Sequence, residues 1–261
     1  MRGRKFICLI FVFLFLVTAF SACGDQGEKK EAVCLNLNCT GECGSRQCME
    51  RYMEYGKTYI GMTLWTIGDS IFDYNDNTYN EMVPSIASNL GFTSLFMDNI
   101  AGSTSAAASG VGIADHIDAG TYAGWKKPDV ILIQRGTNDA YFWNLGNIPK
   151  GSADQPNKAT GLGSIQYVCE KMRSAYPEAV IVWSTPIYRA DVPQSELLEF
   201  CDALESVCPA YGVKIFDLRN TCGITETNYM QYLYDGIHPN AEGAARLRDA
   251  YLDYFRFGIN G

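Results

Sequence analysis

Histidine is the scarcest chemically useful residue in this chain of 261 residues, present only as His116 and His238. A catalytic metal centre built on several imidazoles is therefore close to excluded. Clustered positive charge is missing as well. The chain carries 21 Lys and Arg against 29 Asp and Glu, a formal charge of −8, with no basic run to track a phosphate backbone, so nucleic acid is not an expected partner. The apolar stretch from Phe6 to Phe20 falls short of the roughly 20 residues that a comfortable membrane span needs. What the chain does have is a hydrophobic content of 47% with 19% charged residues, enough to bury a full core. It also has ten cysteines, which points to an oxidising compartment or to a metal.

The N-terminal residues form an address rather than part of a fold. Arg2, Arg4 and Lys5 precede the apolar stretch, and the small residues Ser21 and Ala22 follow it immediately before Cys23. This arrangement resembles the lipobox of bacterial lipoproteins. The resemblance implies removal of residues 1–22, acylation of Cys23 and a lipid-anchored protein exported to the cell envelope; cleavage after Ala22 without acylation, giving a secreted protein, is the alternative. Loss of the three basic residues takes the formal charge from −8 to −11. Residues 23–33 are polar and charged and read as anchor and tether. Residues 34–61 hold Cys34, Cys39, Cys43 and Cys48, four cysteines within fifteen residues. Four thiolates can close a zinc site, but these spacings lack a two-residue knuckle, and a disulfide-stapled cap is the favoured reading.

Residues 62–261 alternate short β-rich runs with amphipathic segments. Strands are expected at Met62–Ile67, Ser94–Asn99, Val130–Arg135, Val180–Thr185 and Val213–Leu218. Helices are expected at Asn80–Leu90, Thr104–Ile117, Leu162–Tyr176, Ser195–Val207 and Asn240–Phe255. In the fourth helix Leu197, Leu198, Cys201, Leu204 and Cys208 recur at helical spacing and should face the sheet, with Gly212 as its stop. Such alternation implies an α/β fold, a three-layer α/β/α sandwich on a five-stranded parallel sheet, with ligands beyond the carboxyl ends of the strands.

Four motifs fall at that rim: Gly68-Asp69-Ser70-Ile71, Asn99-Ile100-Ala101-Gly102-Ser103, Gly136-Thr137-Asn138-Asp139 and Asp235-Gly236-Ile237-His238-Pro239-Asn240. Each alone is weak, since Gly-Asp-Ser is a common turn and Asn is common in loops. Together, over residues 62–256, they resemble the SGNH hydrolase superfamily, the GDSL-type esterases and lipases. The resemblance implies a flavodoxin-like hydrolase fold, Ser70 as nucleophile, Asp235 and His238 as its partners, and an oxyanion hole from Ser70, Gly102 and Asn138. The residues support this independently. A serine hydroxyl needs a base within hydrogen-bond reach, and His238, three residues after Asp235, can present one ring nitrogen to that carboxylate and the other to the serine. The Ser70 and Gly102 N–H groups and the Asn138 amide would then meet the developing oxyanion. The nucleophile elbow Gly-x-Ser-x-Gly of α/β-hydrolases is absent. His116, inside a helical stretch, reads as a surface or capping residue, Asp69 and Asp139 as loop-shaping groups, and Cys169, Cys201, Cys208 and Cys222 as buried thiols or disulfides. No cofactor or metal enters the expected mechanism.

Substrate identity is less legible. Tyr141, Phe142 and Trp143 follow the third strand and Arg189 the fourth, so these four are the expected substrate contacts, although for the aromatics anchoring their own loop is the favoured reading. The expected activity is a serine esterase removing small acyl groups, acetate in particular, from a small-molecule or glycan ester, with carbohydrate at the cell surface as the leading substrate. A lysophospholipase or thioesterase with the same machinery is the alternative. From another class, a lipid-anchored binding or adhesion module on a hydrolase scaffold would also explain the cysteine-rich segment, though such a module has no use for a nucleophile and base.

Overall fold

Two runs of apolar, β-branched residues make the centre of the sheet. In the computed structural model, which describes residues 59–73, 81–107 and 110–259, strand β1 (Thr63–Gly68) and strand β3 (Val130–Gln134) are buried at every position. The export segment, the tether and the cysteines from Cys23 to Cys48 lie outside the described residues. Tyr59–Gly261 forms one compact unit. Strand β2 (Ser94–Asn99) pairs with β1 on one side, and β4 (Val180–Ser184) and β5 (Lys214–Phe216) follow β3 on the other. All pairings are parallel, in the order β2-β1-β3-β4-β5.

The period-2 alternation of a strand divides the side chains between two cores. Trp65, Ile67, Ile131, Ile133, Ile181 and Trp183 share one face. That face packs against α2 (Ile113–Asp118), α3 (Thr137–Asn144), α4 (Gly163–Ala175) and α5 (Gln194–Val207). The other layer holds α1 (Met82–Asn89) against α8 (Ala241–Asp253), with the single-turn helices α6 (Leu218–Thr221) and α7 (Tyr229–Tyr232) beside α8. Ser184 on β4 reaches that layer directly, its hydroxyl 2.7 Å from the Tyr251 hydroxyl. Trp65 is enclosed by Tyr122, Trp125 and Tyr176, with ring centroids 4.8–5.7 Å away. Truncating so large a buried ring typically costs about 3–5 kcal/mol.

The expected sandwich is present, with three local corrections. None of the described residues between Thr104 and Gly112 is helical, and α2 begins only at Ile113. The reason is tertiary: the Ser105 and Ala106 N–H groups donate to the Asp139 carboxylate instead of to a helical ladder. Conversely, the residues after β3, read as a loop, form α3. Finally, Leu198 is 47% exposed while Leu197, Cys201, Leu204 and Cys208 are buried. One residue turns a helix by about 100°, and that carries Leu198 off the face Leu197 buries. Cys169, Cys201, Cys208 and Cys222 are buried free thiols, with the Cys169 and Cys208 sulfurs 3.8 Å apart, well beyond a bond of about 2.05 Å.

Candidate active site

Strand order reverses between β1 and β3, since the chain goes outward to β2 and returns to β3 on the opposite side of β1. The crevice at their carboxyl ends is the place where such sheets accept ligands. Ser70 stands there, two residues beyond β1. The turn that carries it is shaped by Asp69, whose carboxylate accepts the Ile71 N–H at 2.9 Å, while the Phe72 N–H donates to the Asp69 carbonyl at 3.0 Å. Gly68 permits this tight return. A Cβ at that position would lie 2.5 Å from the Phe72 Cβ and 2.9 Å from Asn99 Oδ1.

The chain returns to the same crevice 168 residues later. His238 Nε2 lies 2.9 Å from Ser70 Oγ, and its Nδ1 lies 2.7 Å from Asp235 Oδ2. The other Asp235 oxygen accepts the Ile237 and His238 backbone N–H groups at 2.9 and 2.8 Å, so the carboxylate is locked into its own turn. Burial pushes the Asp235 carboxyl upward, but the hydrogen bonds from His238 and Ile237 outweigh it and hold the group below its ordinary value. It therefore stays ionised where the imidazole needs a negative partner. Just past His238, the Asn240 side chain caps α8 by accepting the Gly243 N–H at 3.0 Å. The Tyr234 ring, 55% exposed, stacks on the imidazole with centroids 5.7 Å apart. Sequence reasoning did not single Tyr234 out, although its place immediately before Asp235 was the available signal.

Asn138 lies in the first turn of α3. Its Nδ2 donates to the Ser103 carbonyl at 2.9 Å, and its Oδ1 accepts from Arg189 at 3.2 Å. The neighbouring Asp139 is fully buried and accepts from the Ser105 and Ala106 N–H groups and the Ser105 hydroxyl. Burial raises its carboxyl above the ordinary value despite these bonds. Asn138 and Asp139 thus tie the loop that carries Gly102 to the end of β3. Gly102 itself is exposed in that loop. Gly136 starts α3 at φ +123°, a conformation open to glycine, with its Cα hydrogen against the Phe200 ring.

The four expected substrate contacts separate. Tyr141 is half-buried, and the Arg189 guanidinium sits over its ring at 4.2 Å. Phe142 is half-buried beside it. Trp143 is a correction: it belongs to the core, stacked on Phe200, with its indole N–H donating to Glu196. Because the segment is a helix, successive side chains diverge, and Trp143 faces inward. His116 is half-buried in the last turn of α2. Its Nδ1 lies 2.8 Å from the buried Asp98 carboxylate, which accepts the Tyr122 hydroxyl as well. Among the described residues, no group of three His, Cys, Asp or Glu side chains could hold a metal ion.

Chemically, the arrangement offers a hydroxyl hydrogen-bonded to an imidazole that a carboxylate orients. The model of the GDSL-like lipase/acylhydrolase family matches residues 66–246. No curated protein matches the chain in sequence. Among solved structures, a Lactobacillus plantarum protein is 20% identical over 76% of this chain and 97% of its own, with a TM-score of 0.61. An acetylxylan esterase from Geobacillus stearothermophilus is 18% identical over 75% of this chain and 94% of its own, with a TM-score of 0.55. An α/β hydrolase enzyme from the metagenome of Lake Arreo in Spain is 16% identical over 78% of this chain and 98% of its own, also with a TM-score of 0.55.

Proposed function

The chain belongs to the GDSL-like lipase/acylhydrolase family and is a hydrolase, and on that premise we propose that it is a serine esterase removing small acyl groups, acetyl in particular, from carbohydrate. The observation that carries the proposal is the relay of 2.9 and 2.7 Å from Ser70 through His238 to Asp235. Ser70 Oγ attacks the ester carbonyl while His238 Nε2 takes its proton, and Asp235 stabilises the imidazolium. The Ser70 and Gly102 N–H groups and the second N–H of Asn138 Nδ2 receive the oxyanion. Collapse of the tetrahedral intermediate expels the alcohol, protonated by His238, and leaves an acyl-Ser70. Water, deprotonated by the same imidazole, then releases the acid.

Support for an acetylated glycan comes from the Geobacillus acetylxylan esterase, whose catalytic aspartate and histidine mutants lie three residues apart, as Asp235 and His238 do. The basic and apolar leader that precedes Cys23 supports export, with the mature enzyme held at the cell envelope by a lipid on that cysteine.

A fluorophosphonate probe tests the nucleophile without knowledge of the natural ester. Peptide mapping should place the adduct on Ser70, and Ser70→Ala should abolish it. On a chromogenic acetyl ester, Ser70→Ala should lose roughly 10⁴- to 10⁶-fold in kcat and Asn138→Ala roughly 10²- to 10³-fold. Labelling of another residue, or an active Ser70→Ala, would sink the proposal.

A further inference from the structure

The loop after β4 touches both halves of the site. The Ala190 N–H donates to the Gly236 carbonyl at 2.9 Å, inside the turn that holds Asp235 and His238. The preceding residue, Arg189, turns the opposite way. It is 5% exposed, and Nη1 donates to Asn138 Oδ1 at 3.2 Å and to the Thr137 carbonyl at 3.5 Å. Nε and Nη2 grip the two oxygens of Asp191, and Tyr141 covers a face of the guanidinium. Four protein acceptors and a covered face leave little of this side chain for a substrate.

We propose that Arg189 is a positioning residue that acts through Asn138 to set the oxyanion hole. A primary amide can sit in two orientations related by a half-turn, and only one points N–H groups at the site. Both neighbours select that one. The Ser103 carbonyl requires a donor and takes one Nδ2 hydrogen, while Arg189 requires an acceptor and takes Oδ1. In the flipped amide, Oδ1 would face a carbonyl and Nδ2 would face a guanidinium, leaving buried groups unpaired on both sides. The second Nδ2 hydrogen is thereby fixed where the oxyanion forms. The guanidinium also withdraws electron density from Oδ1, which makes Nδ2 a stronger donor as negative charge develops. The inference rests on Asn138 being an oxyanion donor, as proposed above.

The test is a mutant cycle, with kcat and KM measured on an acetyl ester for Arg189→Met and Arg189→Lys in the wild-type and Asn138→Ala backgrounds. In the wild type, Arg189→Met should lower kcat by about 10- to 100-fold with KM within about twofold. Arg189→Lys, which keeps the charge and a single donor nitrogen, should recover part of that loss, and it carries the test if the methionine variant does not fold. In the Asn138→Ala background, either change should cost less than about threefold. Equal losses in the two backgrounds would overturn the proposal, as would a rise in KM at unchanged kcat, the signature of a substrate contact. Full activity in Asn138→Ala alongside a dead Ser70→Ala would instead remove the oxyanion assignment and this inference with it.

Discussion

Asp69 is the least comfortable single group beside the proposed nucleophile. It is fully buried, one carboxylate oxygen holds the Ile71 N–H, and the other has no partner among the described residues. Burial pushes its pKa up to about 6, against the Ile71 N–H, Arg135 and Arg189. Unfolded, an aspartate titrates near 3.9, so between about pH 4 and 6 the folded protein keeps a proton that the unfolded chain has lost. The contribution to stability is therefore fullest below about pH 4 and declines as pH rises through 6. The unfolding free energy of wild type relative to Asp69→Asn should fall by on the order of 3 kcal/mol across that window and level off above it. Urea titrations at pH 4, 5, 6 and 7 measure this, and a difference that does not vary with pH would contradict it. The triad was legible in the sequence because Asp235 and His238 share one turn and the chain offers only one other imidazole. Arg189 was legible as a neighbour of the site but not as a partner of Asn138, because 51 residues separate the two and no local pattern records a contact across that distance.

At the scale of elements, the end of β3 carries the greatest demand. Gly136 must turn the chain from the sheet into α3 with φ +123°, and an added Cβ would lie 2.3 Å from the Phe200 ring on α5. Gly136→Ala should destabilise the fold by about 2–4 kcal/mol through backbone strain and overpacking, read as a lower midpoint in urea. In the fraction that remains folded, kcat should fall, because Asn138 sits two residues later. A variant as stable and active as wild type would show that α3 tolerates a shift of α5. The strands and the long helices were readable from periodicity, since each has a buried face long enough to show its repeat. The residues just after Thr104 misled because small residues imitate a helix, whereas the Ser105 and Ala106 backbone donors are claimed by a carboxylate from another element. Helix α3 was hidden for the reverse reason: Gly-Thr-Asn-Asp looks like a turn until its packing on α5 is known.

For the molecule as a whole, every residue of the site lies within the compact unit Tyr59–Gly261. The fragment 59–261 should therefore unfold cooperatively and hydrolyse a soluble acetyl ester with kcat/KM within about threefold of the full chain. A fragment that folds but has lost activity would assign the preceding residues a part in the reaction. The span between Ser70 and His238 has a further consequence. A polypeptide leaving the ribosome displays its hydroxyl long before the imidazole has been translated, and strands β2 to β5 are all made in the interval. Hydrolytic power is thus withheld until His238 has been added, and products truncated before it are born harmless to the esters around them.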